Sequence, residues 1–330
     1  QGAADMGCQP HQGAGYFEVS DEKNQKFYSE KYGVAHPTKA GLKIPQMFEA
    51  AISKELKGLW IIGEDIVQTD PNSAHVIEAM NSLELLVVQE IFMSETAKLA
   101  TVVLPGTTFL EKDGTFTNTE RRIQRVNRAV PPLPGTKPDG LIVTEMMQKL
   151  GFDQPSYDAD QVLEEIADIV PFFKGVTRER LGKLGLQWPV KEDGTDTKIL
   201  HTEEFKLGKG RLKNFDWKES SEIEANQKDY PLILTTSRVL QHYNAATMTR
   251  RTKNINIVDE DVLLIHPKDA AYRDLNTGDI GRLYSGRGEV ALKVEVTDKV
   301  KEGIVFTTFH FPEHMVNMVT GHGKDEETIC

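Results

Sequence analysis

One stretch of the sequence places many hydrogen-bond donors next to one another. Residues 235–251 read TTSRVLQHYNAATMTRR and follow directly on a short apolar run. Hydroxyl, guanidinium, amide and imidazole groups can each bind a polar, anionic ligand. A turn whose polar groups cap nearby backbone would explain a single residue such as His242, but a turn does not need so many adjacent donors. The stretch therefore predicts a ligand-binding loop.

Two further strings carry groups that could do chemistry. Residues 110–122 read LEKDGTFTNTERR, which fits either a solvated hairpin or a functional loop in which Lys112 reaches a phosphate or a purine edge. Residues 309–317 read FHFPEHMVN and place two histidines four residues apart. Pro312 lies between them and disfavours a continuous helix, so we expect packing at a barrel edge and no metal site.

A repeating pattern of predicted strands and helices lies between residues 58 and 105, before these three strings. Apolar runs at 58–63, 85–89 and 101–105 alternate with helical patterns at 71–83 and 94–100. Short apolar runs are typical of buried parallel strands, and this alternation predicts an α/β fold with a doubly wound parallel sheet.

The ends of these predicted strands carry polar or small residues. Ligands of such sheets bind beyond the carboxyl ends of the strands, where Gly63, Glu64, Gln89 and Glu90 are found. No G-x-G-x-x-G follows any of the strands, so the ordinary nicotinamide-binding fingerprint is absent.

The remaining chain predicts two regions and a linker. The first 38 residues read as irregular, helical patterns lie at 39–56, 139–150 and 160–170, and residues 107–135 read as a long loop or hairpin. A polar linker at 191–228 separates an α/β region (1–205) from a smaller region (206–330). The short strands of the smaller region predict a six-stranded, double-psi-like β-barrel. These strands are expected at 231–236, 261–265, 281–284, 289–296 and 303–308.

Composition excludes several classes of protein. A net charge of −11 argues against a nucleic-acid binder and against adsorption to an anionic membrane. Cys8 and Cys330 are the only cysteines, too few for an iron–sulfur or zinc site by themselves. The sequence contains no run of about 18 apolar residues, so it predicts no membrane span. Both ends read as internal sequence, so we expect a longer parent protein, which we place in the cytoplasm.

Five strings of the sequence are informative together: QGAADMGCQP, IIGEDIVQTDP, VVQEIFMSETAKLATVVLPGTTFLEKDGTFTNTERRIQR, TTSRVLQHYNAATMTRR and the FHF…N pattern. They resemble the molybdopterin oxidoreductase family, and formate dehydrogenase catalytic subunits more than nitrate reductases. The resemblance covers nearly the whole chain, and the order and spacing of the strings match, so the chain looks like the C-terminal half of a large subunit.

The resemblance implies a bis-molybdopterin guanine dinucleotide cofactor holding molybdenum or tungsten. Glu90 would meet the guanosine, although the family commonly has Asp there, and residues 236–245 would wrap the pterin and its pyrophosphate. The residues assigned to the cofactor are Gly63, Glu64, Gln89, Glu90, Lys112, Asp139, Thr236, Ser237, Arg238, Val239, Leu240, Gln241, His242, Tyr243, Asn244, Ala245, Phe309 and Asn317.

The resemblance assigns no catalytic residue and no metal ligand to this chain. The family's cysteines for a 4Fe–4S cluster, and the cysteine or selenocysteine that ligates the metal, would lie upstream. The implied reaction is two-electron oxidation of formate to carbon dioxide, or the reverse, and this chain alone is expected to be inactive. The implied partners are the rest of the large subunit and iron–sulfur, diaphorase or hydrogenase electron-transfer subunits, with no nucleic acid and no membrane span.

Two other functions stay open. A nitrate reductase-type oxyanion reductase of the same family would differ in the missing metal-ligand stretch. A non-catalytic subunit of a respiratory complex could keep the fold and lose the cofactor, although an empty pocket need not keep the many donors of residues 236–245.

Overall fold

The computed structural model describes residues 1–205, 207–214, 216 and 220–321, without the side chains of residues 221 and 224. The α-helices of this part are α1 (Gly2–Asp5), α2 (Glu22–Tyr32), α3 (Ile44–Ile52), α4 (Ile66–Thr69), α5 (Ser73–Ser82), α6 (Glu95–Lys98), α7 (Asp139–Lys149), α8 (Ala159–Ile169), α9 (Arg178–Leu181), α10 (Ser221–Asn226) and α11 (Pro267–Ala271). The strands are β1 (Gln12–Gly13), β2 (Phe17–Glu18), β3 (Gly58–Ile62), β4 (Leu85–Glu90), β5 (Val102–Pro105), β6 (Gly114–Thr117), β7 (Arg122–Val126), β8 (Leu186–Gln187), β9 (Ile233–Ser237), β10 (Val262–Ile265), β11 (Ile280–Tyr284), β12 (Glu289–Val296) and β13 (Ile304–Thr308).

The chain divides into two compact units. The first unit contains Gln1–Met47 and Leu104–Leu212, and the second contains Phe48–Val103 and Lys213–Cys330. The predicted boundary between residues 205 and 206 stays a prediction. Within the described residues, no helix has the length and apolar character needed to cross a membrane.

The predicted parallel sheet has the strand order β3-β4-β5, and its strands β3 and β4 lie in the second unit. Strand β3 runs parallel to β4 with Ile62 opposite Gln89. Ile61, Leu86 and Val88 are buried in its core because short apolar runs gain most when both faces of the strand are covered. Ser94 caps α6 by accepting a hydrogen bond from the Ala97 amide. The predicted α/β fold is confirmed.

The second unit also contains a mixed sheet with the order β11-β12-β10-β13-β9. β12 is parallel to β10 and antiparallel to β11, and β13 is parallel to β9 and antiparallel to β10. Alternate residues of β12, namely Val290, Leu292 and Val294, are buried, as expected for a strand with one face toward the core. All five strands expected from the sequence are present.

The expected six-stranded barrel differs from the structure in two respects, because among the described residues the mixed sheet has five strands and does not close. Strands β9 and β11 lie at opposite edges, and no pairing joins them in the part of the chain that the structure describes. Closure of a barrel requires its two edge strands to pair. The segment between β9 and β10 forms 3₁₀ turns at Thr249–Arg251 and Lys253–Asn256, so it provides no sixth strand.

The first unit packs helices against a small antiparallel sheet of order β6-β7-β8. The hairpin of β6 and β7 lies inside the predicted loop at 107–135, and α7 and α8 confirm the two predicted helices. The prediction of an irregular start was wrong for α2, an 11-residue helix capped by Asp21 and ended by Gly33 with a φ of 66°.

A buried carboxylate joins distant parts of the first unit. Asp5 is fully buried and accepts hydrogen bonds from Gln1 Nε2 at 2.8 Å, Tyr16 Oη at 2.7 Å and Trp188 Nε1 at 2.8 Å. Burial, together with this carboxylate, raises the pKa of Tyr16 to about 12. A buried ion is tolerated only where donors replace its water, and three side chains do so here.

We predict that Asp5→Ala destabilises the first unit. The substitution leaves the Trp188 and Tyr16 donors without their buried acceptor, which should lower the free energy of unfolding by about 1–3 kcal/mol. Urea denaturation followed by tryptophan fluorescence measures the change. Asp153→Ala, at an exposed position, is the control and should change stability by less than about 0.5 kcal/mol. Equal stabilities of the two variants would contradict the assigned role of Asp5.

Candidate functional site

The ends of β3 and β4 bring four of the predicted cofactor residues together. The Gly63 amide donates to the Gln89 carbonyl at 2.9 Å, and Gly63 takes a φ of 65°, which favours glycine. Glu64 is exposed and accepts from Thr69 Oγ1 at 3.0 Å, while Gln89 is buried. Glu90 Oε1 accepts from the Ile91 amide at 2.7 Å, so its longer side chain folds back on its own backbone.

Asp65 fixes the position of this strand end. Its buried carboxylate accepts from Thr96 N at 2.9 Å, Thr96 Oγ1 at 2.7 Å and Glu95 N at 3.3 Å. These bonds hold the turn after β3 against the first turn of α6, where an anion is favoured by the free amides. The carboxylate was visible in the sequence as part of the strand end, but no local pattern indicated its partners thirty residues away.

Several carboxyl groups at the strand ends influence one another. Burial raises the pKa of Asp70 to about 6, and the neighbouring Glu64 acts in the same direction. Burial also raises the pKa of Glu90, with smaller contributions in the same direction from Asp65 and Glu64. A raised pKa favours the protonated form of a carboxyl group, which can donate as well as accept hydrogen bonds.

The predicted ligand-binding residues 236–245, here called the donor loop, follow the register of β9. Thr236 lies opposite Thr307 in the mixed sheet, and Ser237 ends the strand at an exposed position. Leu240 and Tyr243 are also exposed. The Gln241 carbonyl accepts from Asn254 Nδ2 at 2.6 Å, which ties the loop to the following 3₁₀ turn.

His242 lies inside the donor loop and is buried. Its Nε2 lies 2.8 Å from the Val258 carbonyl, which can only accept, so this nitrogen carries the proton. Nδ1 then accepts from Thr249 Oγ1 at 3.0 Å. Both ring nitrogens are therefore used within the chain, and His242 supports the loop from inside in this geometry.

His310 spans the two ends of the donor loop. Its Nδ1 donates to the Asn244 carbonyl at 2.6 Å, and its Nε2 accepts from the Val239 amide at 3.1 Å. This pattern requires the neutral ring, and burial lowers the pKa of His310 accordingly. Asn244 and Ala246 have positive φ values of 48° and 53°, so the loop turns sharply where His310 holds it.

The exposed side of the donor loop presents a cation. The Arg238 guanidinium lies 5.1 Å from the centre of the Phe309 ring and donates to Asn244 Oδ1 at 3.4 Å. Stacking on an aromatic ring orients a guanidinium and leaves its edge available to an anion. Among the residues that the structure describes, no carboxylate forms an ion pair with Arg238.

Asn317 was assigned to the cofactor from the sequence, and in the structure its amide donates to the chain itself. The Nδ2 atom donates to the Gln68 carbonyl at 2.8 Å and to the Thr69 carbonyl at 3.3 Å. Thr320 Oγ1 donates to Asn317 Oδ1 at 2.9 Å. Asn317 therefore joins the segment after β13 to α4.

Lys112 and Asp139 belong to the first unit. They form an ion pair with each other, and Lys112 Nζ also donates to the Thr107 carbonyl at 3.3 Å. Both residues were assigned to the same cofactor from the sequence. Their ion pair keeps Lys112 close to the N-terminus of α7, which begins at Asp139. Their contact with a cofactor stays a prediction.

Asp70 should make stability depend on pH. Because the folded state raises its pKa to about 6, the protonated group favours folding at low pH, and this contribution is lost as pH rises through 6. Asp70→Asn should remove the loss, so the variant should exceed the wild type at pH 7 by roughly 1–3 kcal/mol and match it near pH 4. Chemical denaturation across this range measures the difference. The exposed Asp298→Asn is the control, and a parallel shift at every pH would contradict the assignment.

Two family models match the chain. The model described as molybdopterin oxidoreductase matches residues 5–149, and the model described as molydopterin dinucleotide binding domain matches residues 232–329. The second match includes the donor loop, Phe309 and Asn317, and the first includes the strand ends and the Lys112–Asp139 pair. Together the two matches span most of the chain and support a molybdopterin cofactor.

Similar proteins agree with these matches. The chain is 41% identical to the alpha subunit of the F420-dependent formate dehydrogenase of Methanocaldococcus jannaschii, over 99% of this chain and 49% of the relative. It is 39% identical to the alpha subunit of F420-dependent formate dehydrogenase 1 of Methanococcus maripaludis, over 98% and 48%. The chain thus spans about half the length of these curated relatives.

A solved structure shows the same fold. Acetylene hydratase from Pelobacter acetylenicus superposes with a TM-score of 0.65 at 20% identity, covering 89% of this chain and 46% of that protein. The identity is low enough that the likeness concerns the fold alone. The two family matches and the relatives at 41% and 39% identity show that the chain belongs to the molybdopterin oxidoreductase family.

Proposed function

We propose that this chain is the cofactor-binding part of a formate dehydrogenase large subunit. The observation that carries the proposal is the exposed Arg238, oriented by the Phe309 ring and without a carboxylate partner among the described residues. An arginine edge of this kind pairs with phosphate through two parallel hydrogen bonds. The pyrophosphate of a molybdopterin guanine dinucleotide is the ligand that fits it.

A second arginine supports an anionic ligand in the same unit. Arg250 Nη1 is buried and has no hydrogen-bond partner among the described residues. The neighbouring Arg251 stacks 4.1 Å from the Phe92 ring centre, and burial with Arg250 lowers its pKa while Glu90 opposes this change. Arg251 also donates to the Thr247 carbonyl, so the unsatisfied group is Arg250 Nη1. A buried N–H of a cation without an acceptor is costly, so Arg250 favours an external acceptor.

The residues of the second unit would divide the cofactor between them. Glu64 and Glu90 would accept hydrogen bonds from ribose hydroxyls or guanine N–H groups. The donor loop would hold the pterin and pyrophosphate, with Arg238 on the charge and Ser237 and Tyr243 as neutral donors. On the basis of the resemblance, Lys112 and Asp139 are also proposed as cofactor residues. When bound, the cofactor supplies two-electron redox chemistry at its molybdenum or tungsten.

The names of the relatives support formate as the substrate. Formate would lose two electrons and a proton to become carbon dioxide, and the reverse reaction would consume them. We propose that electrons leave through a 4Fe–4S cluster outside this chain to iron–sulfur, diaphorase or hydrogenase subunits, and that the parent protein is cytoplasmic. This chain would bind and orient the cofactor and would be inactive alone.

The two alternatives predict different outcomes. An oxyanion reductase of the same family would bind the same cofactor and reduce nitrate in place of oxidising formate. A subunit that has lost the cofactor would have no need to leave Arg238 without an ion pair, so the geometry of the donor loop disfavours it.

The proposal is tested by guanosine diphosphate binding. Titration calorimetry of the chain should show binding, and Arg238→Gln should weaken it at least tenfold, which is about 1.4 kcal/mol, because a charge-assisted phosphate contact is lost. Arg282→Gln is the matched control, since Arg282 lies 5.0 Å from the Tyr284 ring but pairs with Glu289 at 3.2 Å. Equal losses in both variants, or no binding by the wild type, would contradict the proposal.

A further inference from the structure

One buried side chain connects the two groups of residues proposed to hold the cofactor. Gln68 lies in α4, just after the strand end at Gly63, and is 3% exposed. Its Nε2 lies 3.1 Å from the Ala245 carbonyl, 3.2 Å from the Phe309 carbonyl and 2.9 Å from the His310 carbonyl. These three acceptors are separated from Gln68 by more than 170 residues of sequence.

The orientation of this amide is determined by chemistry. Placing the amide oxygen against three carbonyl oxygens would repel all of them, so the atom at this position is the nitrogen. Gln68 Oε1 is buried without a hydrogen-bond partner among the described residues. The three hydrogen bonds of Nε2 offset the free-energy cost of this unsatisfied acceptor. Two N–H groups serve three carbonyls, so a shift of any one carbonyl disturbs the others.

The three carbonyls belong to the segments that present Arg238. Ala245 ends the donor loop, and the Phe309 ring carries the Arg238 guanidinium. The His310 ring holds the loop at Val239 and Asn244. A displacement of the Gln68 amide would therefore move the ring under Arg238 and the loop that surrounds it.

The same connection is made in the other direction by Asn317. Its Nδ2 donates to the backbone carbonyls of Gln68 and Thr69, at the end of α4 that also places the Thr69 hydroxyl on Glu64. Side chains of each segment thus bond to the backbone of the other. The strand end with Glu64 and the loop with Arg238 are held at a fixed separation.

We infer that Gln68 is a positioning residue that couples the strand-end site to the Arg238 site, so that a ligand spanning both, a guanosine with its phosphates, is bound as one unit. This inference rests on the proposed function for the identity of the ligand. The coupling itself is inferred from the hydrogen bonds of Gln68 and does not depend on the identity of the ligand. Gln68 would touch no ligand atom and would act through Phe309 and the donor loop.

Hydrogen exchange tests the coupling without any ligand. Gln68→Met keeps the length of the side chain and removes the donors, so amides of residues 238–245 and 309–311 should exchange at least tenfold faster, while β10 and β12 stay protected. Gln227→Met, at an exposed position, is the control and should leave exchange unchanged. Unchanged exchange in both segments would overturn the inference. Gln68→Glu, which keeps the shape and faces the carbonyls with oxygen, provides the same test if the first variant unfolds.

Guanosine diphosphate binding then tests whether the coupling reaches the ligand. Gln68→Met should weaken binding at least fivefold in the wild-type background but less than twofold in the Arg238→Gln background, because Gln68 acts through Arg238. A loss by the same factor in both backgrounds would overturn the coupling and indicate a structural role alone. If the wild type binds no guanosine diphosphate, the proposed function fails, and hydrogen exchange still decides whether Gln68 holds the loop.

Discussion

A single buried carboxylate holds the segment on which the candidate site is built. Asp261 is fully buried and accepts from the His310 amide at 3.0 Å, the Phe311 amide at 3.1 Å and the Thr308 hydroxyl. Water cannot reach this charge, so the chain after β13 must keep these donors in place. The turn that results directs His310 at the donor loop and Phe309 at Arg238. The position of the exposed Arg238 therefore depends on the buried carboxylate of Asp261.

The donor loop divides its polar groups between two tasks. One group forms hydrogen bonds inside the protein and determines the path of the backbone. It consists of the His242 ring and the carbonyls of Gln241, Asn244 and Ala245. We propose that Arg238 and the other exposed side chains bind a ligand. A loop whose backbone is already fixed loses little conformational entropy on binding, which is the advantage of a preorganised site. The density of polar residues that marked this loop in the sequence reflects both tasks.

The sequence predicted the elements whose signals are local. Continuous apolar runs identified β3 and β4, and alternation of apolar and polar residues identified β12. In both cases the pattern within the strand itself shows which of its faces are buried. Helix α2 was missed since only Tyr28 of its polar sequence is buried. The prediction of a closed barrel was wrong because strand pairing depends on residues far apart in the sequence. The inward direction of His242 could not be predicted either, since it depends on Val258 and Thr249, and the role of Gln68 depends on carbonyls far along the chain.

We propose that this chain binds the guanine dinucleotide form of a molybdopterin. Native mass spectrometry of the purified protein that contains the chain, combined with elemental analysis, measures this most directly. We predict a bound mass that matches molybdopterin guanine dinucleotide, accompanied by molybdenum or tungsten, and a smaller fraction of protein carrying that mass in the Arg238→Gln variant. A folded protein that carries neither pterin nor metal would contradict the proposal.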